Sequence, residues 1–100
     1  MENTFEINKI IDMDMETLKS INSAFSSDQI EDVKFIFHKE TPAYSKILKL
    51  FNEILDINEK TEQKKKIFLV NVNQEIYNLI KNLRDLKDLK RKSEASNKMW

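Results

Sequence analysis

Ile67-Phe68-Leu69-Val70-Asn71-Val72-Asn73-Gln74-Glu75-Ile76-Tyr77-Asn78-Leu79-Ile80 is the stretch on which the fold turns. Ile67 to Val72 is a short apolar, β-branched run bounded by Lys64-Lys65-Lys66 and Asn73, the pattern of a buried strand. From Gln74 the apolar positions change to helical spacing, at Ile76, Leu79, Ile80, Leu83 and Leu86. Lys and Arg gather toward the end of this stretch, where the partial negative charge of a helix C-terminus favours them. A rival reading takes the same residues as helix throughout. Leu69, Val72, Ile76, Leu79, Leu83 and Leu86 are spaced 3-4-3-4-3, which is a heptad seam. Residues 61–92 would then form one long helix of an all-α bundle.

Upstream, Thr41-Pro42 is the sharpest boundary. Proline has no N–H and a fixed φ, so Pro42 suits the first turn of a helix with Thr41 as its cap. Tyr44, Ile47, Leu48, Phe51, Ile54 and Leu55 then trace an amphipathic stripe, and Asn58–Lys66 reads as a solvated helix end and loop. Val33-Lys34-Phe35-Ile36-Phe37 can be read as helix, with Asp28 as cap and a stripe at Ile30, Val33 and Phe37. It can also be read as a β-rich run, where three consecutive apolar residues suit a strand covered on both faces. Asp14 is a good N-cap for a helix carrying Met15, Leu18, Ile21 and Phe25, with Glu16 in its first turn. Thr4–Asn8 alternates as a half-buried strand that could run on to Ile10 and Ile11.

Two dense β-rich runs flanked by polar breaks favour the α/β reading over the bundle. The order is strand, helix, strand, helix, strand, helix, which predicts a small β-α-β-α-β-α domain with a short, mainly parallel sheet. Residues 1–92 form the expected single domain and Ser93–Trp100 a flexible tail.

This order of elements resembles the STAS family, the fold of anti-sigma-factor antagonists and of the STAS tails of sulfate transporters. Ile67 to Ile80 looks like that family's last core strand, short turn and final helix. Glu31-Asp32-Val33-Lys34-Phe35-Ile36-Phe37 stands where the family has its central strand. Tyr44-Ser45-Lys46-Ile47-Leu48-Lys49-Leu50-Phe51 is similar in position to its Asp-Ser-Ser-Gly-Leu segment and the helix beneath it. The resemblance spans roughly residues 4–89 and is carried by pattern more than by motif. Tyr44 and Lys46 flank Ser45 in place of the family's Asp and Gly, and the chain leaves no room for the family's first strand. The resemblance implies a regulatory module that binds a protein partner. Its contact surface would be Thr41, Ala43, Tyr44, Ser45 and Lys46, with Ser45 as the candidate phosphorylation site.

Composition narrows the function further. The chain has no glycine, so the phosphate-cradling loops that depend on positive φ and close backbone approach are absent. No cysteine means no disulfide framework and no thiolate metal site. Acidic and basic residues balance at 17 each, giving no overall field for nucleic acid. The balance is uneven along the chain: residues 1–32 carry eight acidic and two basic side chains, a net charge of −6, and the remainder carries +6. The longest apolar run, Ile67–Val70, is far short of the ~20 residues of a membrane span, and the acidic Met1-Glu2-Asn3 start leads into no signal-type apolar region. A cytoplasmic, non-enzymatic protein without cofactor is expected.

The remaining candidates have plainer explanations. Asp12, Asp14 and Glu16 hint at an oxygen-ligand cation site but lack the further ligands and the turn glycine, so a capped helix start is preferred. His38, the one histidine, has no nameable nucleophile or orienting partner and reads as a strand-end residue. Lys64-Lys65-Lys66 and Lys87–Lys92 read as solvated faces. Leu89, Met99 and Trp100 fall outside the apolar stripes. Under the all-α alternative, the seam from Leu69 to Leu86 would drive self-association into a homo-oligomer of adaptor or export-chaperone type.

Overall fold

A computed structural model of the chain describes the backbone of residues 2–98 and the side chains of residues 3–90. The elements in order are β1 (Glu2–Glu6), α1 (Ile7–Ile10), α2 (Met15–Ser26), β2 (Asp32–Ile36), α3 (Tyr44–Lys60), β3 (Lys66–Val70) and α4 (Gln74–Lys98). The three strands form one parallel sheet in the order β1-β2-β3, with Thr4, Lys34 and Phe68 in register across it. The protein is α/β, and the all-helical bundle is overturned. Leu69 lies in β3 and Val72 in the turn after it, so the heptad seam is cut in two at the point where β3 becomes α4.

Each crossover joins neighbouring strands in the same direction across the sheet. Right-handed connections then place the helices on one face. Burial follows that rule: Val33, Phe35 and Phe37 are buried beneath the helices, whereas Lys34 and Ile36 alternate with them and are half-buried. The expectation that Phe35-Ile36-Phe37 is covered on both faces is therefore corrected. Ile36, Val70 and the exposed Phe68 sit on the sheet face that carries no helix.

The core joins Ile7 and Ile10 of α1, Ile21 and Phe25 of α2, Ile47, Leu50, Phe51 and Ile54 of α3, and Ile76 and Ile80 of α4 to the inner face of β2. At its centre Phe51 meets Phe35 edge-on at 5.3 Å and stacks on Phe37 at 6.1 Å, while Phe35 stacks on Phe5 at 5.7 Å. These rings tie β1, β2 and α3 together.

Several boundaries differ from expectation. β1 stops at Glu6; Ile7 and Ile10, three residues apart, turn inward as the short helix α1 instead of prolonging the strand. Asp14 caps α2 as expected, its carboxylate accepting from the Thr17 N–H at 2.8 Å. α3 begins at Tyr44 with Ala43 in the cap position, so Thr41 is not its cap and Pro42 lies before its first turn. α4 takes in Ser93–Lys98 from the segment assigned above to a tail; Met99 and Trp100 lie outside the described residues.

Asn58–Lys66 is not simply solvated either. The Asn58 side chain accepts from the Lys65 N–H at 2.8 Å and donates to the Lys65 carbonyl at 3.0 Å, clasping the end of α3 to the start of β3. Lys65 is 7% exposed, and its ammonium donates to the Ser27 carbonyl at the end of α2 at 2.6 Å. A buried lysine is tolerable here because the carbonyl end of a helix receives its charge.

In a chain without glycine, Met13 and Asn71 take the left-handed turns, at φ 50° and 60°. Asparagine is the better suited of the two to that region. No described helix is long and apolar enough to cross a membrane.

Candidate functional site at the carboxyl ends of the strands

The carboxyl ends of β1, β2 and β3 open onto the starts of α1, α3 and α4. Thr41, Ala43, Tyr44, Ser45 and Lys46 are all exposed on this rim, and the structure brings them together as the approach to α3 and its first turn. The Tyr44 hydroxyl donates to Glu75 Oε2 at 2.9 Å, bracing the start of α3 against the start of α4. That bond to a carboxylate, together with partial burial, raises the Tyr44 pKa above its ordinary 10.0.

The starts of α3 and α4 are built differently. Asn73 accepts from the Ile76 N–H at 2.8 Å and caps α4. Ala43 offers no side-chain oxygen, and among the described residues no side chain caps the first amides of α3, of which the Lys46 N–H is taken by the Ala43 carbonyl at 3.0 Å.

A second polar group lies on the same rim. Glu6 Oε2 is 2.6 Å from the Lys9 ammonium, and Glu6 Oε1 is 3.3 Å from His38 Nε2. The hydrogen bond from Lys9 is the main reason that the Glu6 carboxyl is held below, and the Lys9 ammonium above, their usual values. Asn8 donates to the Glu40 carbonyl at 3.3 Å, tying α1 to the loop that leads into α3. His38 thus has a carboxylate neighbour that sequence reasoning missed. Glu6 and His38 are far apart in sequence, and only the pairing of β1 with β2 brings them together.

The other candidates fall elsewhere. Asp14 serves α2 as its cap, and among the described residues no cluster of His, Asp and Glu could hold a metal ion. Of the basic clusters, Lys64 pairs with Glu59 at 3.1 Å, Lys65 is buried, and Lys87 pairs with Asp56 at 2.7 Å. On α4, Leu83 packs against the core, whereas Leu86 and Leu89 are 65% and 62% exposed. No signal local in sequence could have found the Tyr44–Glu75 brace, whose residues are 31 apart. No family model matches the chain, and comparison with curated proteins and with solved structures finds no match.

Proposed function

We propose that the chain is a non-enzymatic protein–protein interaction module of STAS-like regulatory type, docking on a partner through Thr41, Ala43, Tyr44, Ser45 and Lys46. The observation that carries this reading is the exposed, braced start of α3, whose first amides have no side-chain cap. Such amides favour a carboxylate or phosphate from a partner. Tyr44 adds an amphipathic ring already held by Glu75, so less side-chain freedom is lost on docking. A phosphate on Ser45 would sit in the first turn of α3, where the helix dipole tolerates its charge, and would compete with the partner for the same amides. The cysteine-free composition suits the reducing cytoplasm.

The test is affinity capture from the source cells with wild type, Ser45→Glu and Tyr44→Ala, read by mass spectrometry, with circular dichroism to show that each variant is folded. A specific protein held by wild type and lost with both variants supports the reading. A partner held equally by all three moves the docking surface off this rim. Recovery of the chain alone replaces hetero-association with self-association.

A further inference from the structure

β3 is an edge strand, and its outer side borders a groove of about 580 Å³. Phe51, Leu55 and Ile80 line it from α3 and α4, with Tyr77 44% exposed beside them. The Lys66 N–H donates to the Glu31 carbonyl at 3.1 Å, and the Val70 carbonyl accepts from the Phe37 N–H at 2.9 Å. These two bonds set Lys66, Phe68 and Val70 as the residues whose backbone faces β2. By strand alternation the N–H and C=O groups of Ile67 and Leu69 face outward, along the groove.

The charge on this groove is one-sided. Lys66, Lys81 and Arg84 line it and are exposed, and among the described residues no carboxylate does. Among the described residues none of these three cations is in an ion pair. The neighbouring hollow along α3 and α4, which Arg84 also borders, carries Asp56, Glu59 and Asp88 with its cations, and there Lys64 and Lys87 are paired.

We propose that the outer edge of β3 is a strand-addition site for an acidic, extended segment of a partner protein. The segment pairs its backbone with Ile67 and Leu69, sets alternate apolar side chains against Leu55, Tyr77 and Ile80, and carries carboxylates to Lys66, Lys81 and Arg84. Backbone pairing supplies the direction of the segment, the apolar floor supplies burial, and the surplus of cations selects acidic sequences and raises the association rate. This surface is separate from the rim at Thr41–Lys46, and either can fail without the other.

The test uses the full chain and a displayed library of random segments of about twelve residues, enough to span an edge strand. Selection is on wild type, with counter-selection on the double variant Lys81→Glu, Arg84→Glu. The expected winners alternate apolar residues with Asp or Glu and avoid proline. The best of them, as a synthetic peptide, binds the double variant roughly tenfold or more weakly, and wild type more weakly as salt rises. Amide hydrogen exchange at Ile67 and Leu69 slows when that peptide is added, while Phe68, already bonded to β2, changes little. Tyr77→Ala, at an exposed site, weakens the peptide without unfolding the chain. Winners that are neutral, basic or helical in period would overturn the proposal. So would unprotected amides at Ile67 and Leu69, or sedimentation showing that a second copy of the chain occupies the edge.

Discussion

The rim at the carboxyl ends of the strands and the outer edge of β3 are both exposed, yet they are finished in opposite ways. On the rim two groups are internally paired, Glu6 holding Lys9 and facing His38, and Glu75 holding the Tyr44 hydroxyl, while Lys46 stands outside both. Along β3 the apolar floor is open, and Lys66, Lys81 and Arg84 have no carboxylate partner among the described residues. The rim is a preorganised shape whose remaining capacity lies in a few uncapped amides. The edge keeps hydrogen-bonding, apolar and electrostatic capacity together. Exposure alone does not distinguish the two surfaces; what is left unsatisfied on each does.

Phe51 belongs at once to the core and to the groove. Phe51→Ala should lower stability by about 3–5 kcal/mol in denaturant titration, because a fully buried ring that touches Phe35 and Phe37 is removed. A small loss would mean that the groove floor is separable from the core. Asn58→Ala comes next. It opens the clasp on Lys65, and a loss of about 1–3 kcal/mol is expected, with faster amide exchange at Lys65.

Ala43→Ser works in the other direction. Supplying the missing cap to α3 should stabilise the protein by about 0.5–1 kcal/mol and weaken any partner that uses those amides. Stabilisation with undiminished binding would show that the amides are not the contact.

The capped start of α2 gives the smallest and most pH-dependent effect. The backbone hydrogen bond from Thr17 holds the Asp14 carboxyl below its ordinary 3.8. A depressed carboxyl stabilises the fold above its unfolded value and loses that contribution as pH falls through its folded one. The melting temperature of Asp14→Ala should therefore lie below wild type near neutral pH, and the gap should close only below pH 3.8.

The alternation of elements was legible because Val33–Phe37 and Ile67–Val72 are dense in β-branched and aromatic residues and are set off by polar breaks. The Asp14 cap was legible for an equally local reason, a side chain acting three residues along its own chain. What escaped was decided by contacts across the fold. Ile36 looks like core in the sequence, but whether a second layer of helices covers it depends on the hand of two crossovers. Ile7 fits either a continuing strand or a turn of helix, and only packing chooses between them. Lys65 sits in a run of lysines that reads as solvent-facing until the Ser27 carbonyl and the Asn58 amide are brought to it. The Thr41–Lys46 rim was named from sequence as a surface, but its brace on Glu75 and its missing cap were not.

The sheet order β1-β2-β3 also bears on how the chain reaches its fold. Every strand pairs with the one made just before it, and none has to be threaded between two strands already joined. Each loop closure spans a single crossover, so its entropy cost stays modest. As the chain emerges from the ribosome, β1 and β2 can pair before β3 exists, and β3 can join as soon as α3 has formed. The sheet can therefore assemble in steps along the chain, and it is left with β1 and β3 as its two edge strands.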